Sequence, residues 1–131
     1  MAFEAFLKVD GGSELRLIEC HYSLQRQTDF MGRPAEEVRG GSLQFSLETS
    51  KDNSFAQWVV EPYATKKVEV DFKDPSSGSK LKTVTLTDAY LVSFSESFHA
   101  ADSQPMVQTM VLSSKEIAIG DAKHANKWPE N

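Results

Sequence analysis

Residues 15–24 read LRLIECHYSL, and their apolar residues change sides partway along the stretch. Leu15 and Leu17 share one parity, whereas Ile18 and Cys20 take the other. Because side chains of a strand point to alternate faces, an uninterrupted strand would keep its apolar residues on one parity. A β-bulge, or a strand that passes from one sheet to another, explains the change near residue 17.

The sequence around this stretch is that of a mainly β protein. Apolar residues alternate in Phe3–Val9, Leu43–Leu47 and Val68–Phe72, which predicts half-buried strands. Val84–Phe94 keeps its apolar residues on one parity, while Met106–Ser114 carries them on both, as expected of a strand covered on both sides. About seven or eight strands in all predict a two-sheet β-barrel or sandwich.

One short α-helix is predicted between residues 52 and 62. Phe55, Trp58 and Val59 fall on one face at helical spacing. Ser50 or Asp52 can cap the start of the helix, and Pro62 ends it, because proline disfavours helical geometry in the preceding residue. We expect about two to three turns, docked on or beside the barrel, with Trp58 as a packing group.

Two segments lack strand periodicity. Residues 25–40 (QRQTDFMGRPAEEVRG) form a long polar connection after the second predicted strand, and long loops in small domains are often functional. Its tip offers two large apolar residues, Phe30 and Met31, with nothing local to bury them. The tail, residues 120–131, is predicted to be irregular, with Trp128-Pro129 as an anchor.

Composition bounds the class of protein. The chain has 131 residues, of which 40% are hydrophobic and 25% charged, so we expect a single globular domain over residues 1–131. A net charge of −5 argues against a nucleic-acid coat or a protein of anionic membranes. The N-terminus lacks the features of a secretory signal, and the single Cys20 fits folding in the cytoplasm.

No catalytic or metal-binding motif stands out. His21, His99 and His124 lie far apart and in none of the spacings that bind metals. Cys20 and His21 are neighbours, but adjacent strand residues face opposite ways, so they cannot form a nucleophile–base pair. We therefore expect no enzyme activity and no cofactor.

The assembled features resemble a known family. They are DFMGRP at Asp29–Pro34, RGG at Arg39–Gly41, a helix holding Trp58, and the ending IAIGDAKHANKWPEN from Ile117. In this order and spacing, along nearly the whole chain, they resemble the tube protein of type VI secretion systems, the haemolysin-coregulated protein family, in its form common among Bacteroidetes. The resemblance also covers contractile phage tail tubes, which share the fold.

The resemblance implies a non-enzymatic subunit that forms six-membered rings. Such rings stack into a hollow tube, which contraction of a surrounding sheath expels together with effectors. The implied partners are a second copy of the chain, the sheath, baseplate and spike proteins, and effectors. Cytoplasmic assembly and secretion without a cleaved leader are also implied.

Ring stacking is assigned by the same resemblance to the loop after the second strand. The residues predicted to make this contact are Arg26, Asp29, Phe30, Met31, Gly32, Arg33, Pro34 and Arg39. Two alternatives remain open at this point. One is a small monomeric β-barrel that binds an apolar ligand between its sheets, and the other is an enzyme of unknown type.

Overall fold

The structure is a computed structural model that describes residues 3–25, 29–33, 39–61, 63–101 and 106–125. In chain order the elements are β1 (Glu4–Val9), β2 (Leu15–Arg16), β3 (Glu19–Gln25), β4 (Arg39–Glu48), α1 (Ser54–Val59), β5 (Lys66–Lys73), β6 (Lys80–Phe98), β7 (Met106–Ile119) and β8 (Ala122–Ala125). The predicted mainly β fold with one short helix is confirmed.

The strands pair antiparallel in the order β2-β1-β5-β6-β7-β4-β3, with β8 also bonded to β7. The strands β6 and β7 are long enough for each of them to belong to two sheets. Sheet I consists of β3, β4, Met106–Ser113 of β7 and Leu91–Phe98 of β6. Sheet II consists of β2, β1, β5, Lys80–Ala89 of β6, Glu116–Ile119 of β7, and β8.

The chain passes from sheet II to sheet I at residues 17 and 18. The N–H of Leu17 donates to the carbonyl of Ala5 in β1, and the N–H of Ile18 donates to the carbonyl of Ser46 in β4, both at 2.8 Å. Two consecutive residues thus bond to β1 and β4, which lie near opposite ends of the strand order, so the sheet curls into a partly open barrel. The predicted change near residue 17 is confirmed as a strand that changes sheet.

A second change of face lies in the middle of β6. Leu86, Ala89 and Leu91 are all buried, so the side chains that face the core are even-numbered before Asp88 and odd-numbered directly after it. Asp88 has a left-handed φ of 53°, and the register against β5 shifts beside it. The prediction that Val84–Phe94 keeps one parity is wrong, because this bulge turns the strand from sheet II to sheet I.

The core lies between the two sheets. Its fully buried side chains include Leu43, Phe45, Met110 and Leu112 from sheet I and Leu7, Val68, Val70 and Val84 from sheet II. Across the core, the ring centroids of Tyr22 and Phe72 are 6.3 Å apart. On β7 the residues on the opposite face are only half-buried, so the prediction that both sides of this strand are covered is wrong.

The helix connects sheet I to sheet II and packs on the core. Phe55 and Trp58 are buried, with the Phe55 ring 5.7 Å from that of Phe45 and the indole N–H of Trp58 donating to the carbonyl of Ala64 at 2.9 Å. The packing role of Trp58 is confirmed. At six residues the helix is under two turns, shorter than predicted.

The start and end of the helix differ in part from the prediction. Its N-cap is Asn53. Asp52, one of the two predicted caps, is therefore not the N-cap, but its side chain accepts a hydrogen bond from the backbone N–H of Ser54 at 2.9 Å. Pro62 lies outside the described residues.

Both irregular segments are shorter than predicted. Gln25 ends β3, and Arg39 and Gly40 begin β4, so the long connection comprises residues 26–38 and follows the third strand, since Leu15–Arg16 is a separate strand. In the tail, β8 forms a hairpin with β7, contrary to the prediction. Trp128-Pro129 lies outside the described residues. In the described part of the chain, α1 is far too short for a membrane span, and no helix qualifies as one.

Candidate functional site

The tip of the connection between β3 and β4 is held in shape by one aspartate. Oδ1 of Asp29 accepts hydrogen bonds from the backbone N–H groups of Met31 and Arg33, at 2.9 and 3.0 Å. The backbone N–H of Asp29 donates to the carbonyl of Arg33, and that of Gly32 donates to the carbonyl of Asp29. Gly32 has a φ of 83°, which favours glycine. The tip is therefore a local turn with these hydrogen bonds formed within residues 29–33.

Arg33 completes this turn with an ion pair. Its Nε lies 3.0 Å from Oδ2 of Asp29. Hydrogen bonds from the backbone of Arg33, then from that of Met31 and from the Arg33 side chain, lower the pKa of Asp29. Arg33 thus pairs with a carboxylate of its own loop, although most of its guanidinium remains exposed.

The apolar residues of the tip point to solvent. Phe30 is 96% exposed and Met31 65% exposed, so neither packs on the described part of its own barrel. Of the predicted stacking residues, the structure brings Asp29, Gly32 and Arg33 together as the frame that presents Phe30 and Met31. Arg26 and Pro34 lie outside the described residues, and Arg39 is the first residue of β4.

Both edges of sheet I are long and unpaired. Among the described residues, β3 pairs only with β4 along its seven residues, and Leu91–Phe98 of β6 pairs only with β7. Successive strands of sheet I alternate in direction, so β3 and β6 run opposite ways. An exposed edge of this length is a template for a further strand from another chain.

The outward face of sheet I is lined mainly by small uncharged polar side chains. They are Ser23, Ser42, Gln44, Ser46, Ser93, Ser95, Ser97, Thr109 and Ser113. Ser46 and Thr109 bond to each other across the strands at 3.0 Å. Glu19, His21 and Glu48 are the titratable residues on this face of the described strands.

A groove of about 540 Å³ lies where the chain crosses between the sheets. Phe3 and Ile18 form its exposed apolar walls, at 59% and 41% exposure, above the buried Leu47. Sequence periodicity counted Phe3 and Ile18 as strand core residues, and only the crossing at residue 18 brings them to the surface together. No motif in the sequence signals this groove.

Cys20, His21 and the buried Asp71 do not form a reactive site. Cys20 faces the core, and burial raises the pKa of its thiol to about 11, so it is a thiol at neutral pH. His21, on the other face, is exposed. Asp71 is buried, where it accepts a hydrogen bond from Thr83 at 2.7 Å and lies 3.5 Å from Nζ of Lys80. Within the described ranges, His, Cys, Asp and Glu residues form no group of three that could hold a metal.

Sheet I of this curled barrel has two long open edges, and the loop tip exposes an apolar pair. Both are features of surfaces that pair with other chains. Residues 1–129 match the model of the family described as hemolysin coregulated protein Hcp (TssD). The chain therefore belongs to this family of type VI secretion tube subunits, as the sequence resemblance predicted.

Solved structures agree with this assignment. Hcp1 from Flavobacterium johnsoniae is 27% identical and superposes with a TM-score of 0.88, over 94% of this chain and 99% of that chain. Hcp1 from Salmonella typhimurium shares the fold at 18% identity and a TM-score of 0.73, over 89% and 85% of the two chains.

The fold extends to other contractile systems. A chain of the sheath–tube complex of an extracellular contractile injection system, PVC, has a TM-score of 0.59 at 13% identity, over 93% of this chain and 88% of that one. No curated protein matches the chain in sequence.

Proposed function

We propose that this protein forms hexameric rings that stack into the hollow inner tube of a type VI secretion system. The observation that carries the proposal is the pair of open edges of sheet I. The β3 edge of one copy and the β6 edge of the next are different surfaces, so their contact is heterologous, and such contacts close into rings when the rotation fits. Because β3 and β6 run in opposite directions, pairing β3 of one copy with β6 of the next continues the antiparallel sheet from subunit to subunit.

The two sheets also differ in width. Sheet I has four strands across, β3, β4, β7 and β6, whereas sheet II has six, β2, β1, β5, β6, β7 and β8. The wider layer needs the larger circumference, so we place sheet II outside and sheet I inside the ring. The serine-rich outward face of sheet I then lines the channel, and effectors pass along a surface with few charges.

The role of the protein is mechanical and non-enzymatic in this proposal. The tube assembles in the cytoplasm inside a contractile sheath, on baseplate and spike proteins, and contraction of the sheath expels it together with its effectors. The tip Asp29–Arg33 supplies ring–ring contacts through Phe30 and Met31. A ligand-binding barrel has less support, because side chains such as Phe45, Met110 and Leu112 fill the space between the sheets.

The oligomeric state tests the proposal. Size-exclusion chromatography with light scattering is expected to give the mass of six chains, and negative-stain micrographs are expected to show rings and short stacks. A monomer that persists at high protein concentration contradicts the proposal, and so does a closed dimer.

A further inference from the structure

We propose that the groove between β1 and β4 is the receptor for the loop tip of a second copy in the neighbouring ring. This inference rests on the proposed tube function and names the surface that its stacking loop contacts. The groove is the one lined by Phe3, Ile18 and Leu47, and the tip is the turn Asp29–Arg33.

The first argument is position. The tip connects the end of β3 to the start of β4, whereas the groove lies beside the start of β3 and the end of β4. Strands rise about 3.3 Å per residue, so Arg39 and Glu48, at the two ends of β4, are roughly 30 Å apart. Donor and receptor are thus on opposite ends of the same strands, and a copy shifted along the strand direction brings them together.

The second argument is apolar complementarity. The tip presents Phe30 and Met31 to solvent, and the groove presents Phe3 and Ile18. Single exposed apolar residues are common on soluble proteins. Here, however, two of them protrude together from the tip, and two others lie together in a concave groove. A groove of about 540 Å³ has room for an aromatic and a thioether side chain.

The third argument is charge. Two carboxylates, Glu4 and Glu48, line the groove, and only Glu4 has an ion-pair partner in the described residues, Arg16 at 3.2 Å. The tip exposes the Arg33 guanidinium far more than the Asp29 carboxylate. A docked tip therefore brings the exposed part of the Arg33 guanidinium to Glu48, which has no ion-pair partner among the described residues. Because the contact joins unlike surfaces at opposite ends, it propagates as an open stack.

Site-directed crosslinking tests the contact. In a Cys20→Ser background, a tagged Phe30→Cys protein is mixed with an untagged Ile18→Cys protein and treated with a short bismaleimide. The expected product is a dimer of one tagged and one untagged chain. The matched control replaces Ile18→Cys by Val60→Cys, an exposed apolar position at the end of α1, and is expected to give at least tenfold less product.

Charge reversal tests the groove without touching the tip. Glu48→Lys is expected to leave single rings intact and to reduce stacking at least fivefold, measured as tube length in micrographs. Glu116→Lys makes the same change at an exposed strand glutamate of sheet II and is expected to stack like the wild type.

The outcomes separate the two proposals. If rings and tubes form but Ile18→Cys and Glu48→Lys behave like their controls, the groove is not the receptor and the tube function stands. If the wild-type protein forms no rings, the tube function fails, and this contact fails with it.

Discussion

The two sheets of the barrel end differently. Sheet II ends in β2, of two residues, and β8, of four, whereas sheet I ends in β3, of seven residues, and the Leu91–Phe98 part of β6. Short edge strands are a common protection against pairing with other chains. In the part of the chain that the structure describes, neither side of sheet I ends in such a short strand, and the ring joint that we propose requires long open edges.

The outward faces differ in the same sense. Sheet II is covered by ion pairs, such as Lys73 with Glu14 at 3.0 Å and Lys80 with Asp71 at 3.5 Å. The hydrogen bond from Lys73, with its charge, lowers the pKa of Glu14. Sheet I carries mostly serine, threonine and glutamine. Sheet II thus carries a charged outward surface, whereas sheet I carries a mostly uncharged polar surface beside the open edges that we propose join copies of the chain.

The largest expected effect comes from blocking one edge of sheet I. The backbone N–H of Thr49 donates to the carbonyl of Met106, so Met106 faces β4 and its neighbour Val107 faces β6. Because backbone groups alternate in direction along antiparallel strands, Ser95 faces β7, and the backbone N–H of Glu96 faces the open edge. Glu96→Pro removes an outward N–H, which proline-containing edge strands tolerate. We expect complete loss of rings by light scattering, with monomers that remain folded.

The control for this variant is Glu96→Ala. It loses the same side-chain bonds to Thr49 and Gln108 but keeps the backbone N–H. We expect rings with this variant. Rings that persist with Glu96→Pro would show that the β6 edge is not the ring joint and would remove the distinction between the two sheets.

The next largest effect concerns the loop that leaves sheet I. Deletion of residues 29–34 is expected to leave rings intact and abolish stacking, because Phe30 and Met31 are lost while the edges of sheet I remain. Micrographs would show single rings only. The double variant Phe30→Ala, Met31→Ala keeps the Asp29 turn and is expected to behave alike. Tubes of normal length with either variant rule out a stacking role for the tip.

A smaller effect is expected at Asp88, where β6 leaves sheet II for sheet I. Its φ of 53° suits glycine, aspartate and asparagine but not a β-branched residue. Asp88→Val is expected to lower the free energy of unfolding by about 1–2 kcal/mol, and Asp88→Gly to change it by less than about 1 kcal/mol. Thr85→Val, outside the bulge, is the control in denaturant titrations. Equal results for Asp88→Val and Thr85→Val would show that this bulge does not divide the sheets.

The smallest effect is a pH dependence from Cys20 on the core face of sheet I. Burial raises the pKa of the folded thiol to about 11, above the roughly 8.5 of an unfolded chain. Between these values the folded state holds a proton that the unfolded state releases, so this contribution to stability is full below pH 8.5 and falls as the pH rises toward 11. Cys20→Ala is expected to flatten that part of the stability curve. An unchanged slope contradicts a buried thiol.

Much of the fold could be predicted from local pattern. The alternation in Phe3–Val9 and the helical spacing of Phe55 and Trp58 correctly predicted a strand and a core-facing helix. The parity of β6 could not be predicted, because a left-handed residue at Asp88 reverses the faces and nothing in its neighbours requires it. The short β8 was missed because its stability comes from pairing with β7, not from its own residues.

One part of the candidate site could likewise be predicted from the sequence, and the other could not. Asp29, Gly32 and Arg33 belong to one local turn, and the sequence was enough to identify the segment with its exposed apolar pair. The groove joins residues from the start of β1, the crossing at residue 18 and the end of β4, which meet only when the sheet curls. No pattern along the chain could predict such a combination.

By itself, the sequence determined the class of fold, the helix face, the change of apolar parity near residue 17 and, through its resemblance, the family. These depend on periodicity and on residues close together in the chain. Only the tertiary structure decided which sheet keeps open edges and where the tip has a matching groove. Both depend on pairing between strands distant in sequence, and that pairing is fixed when the sheet curls around its shared core.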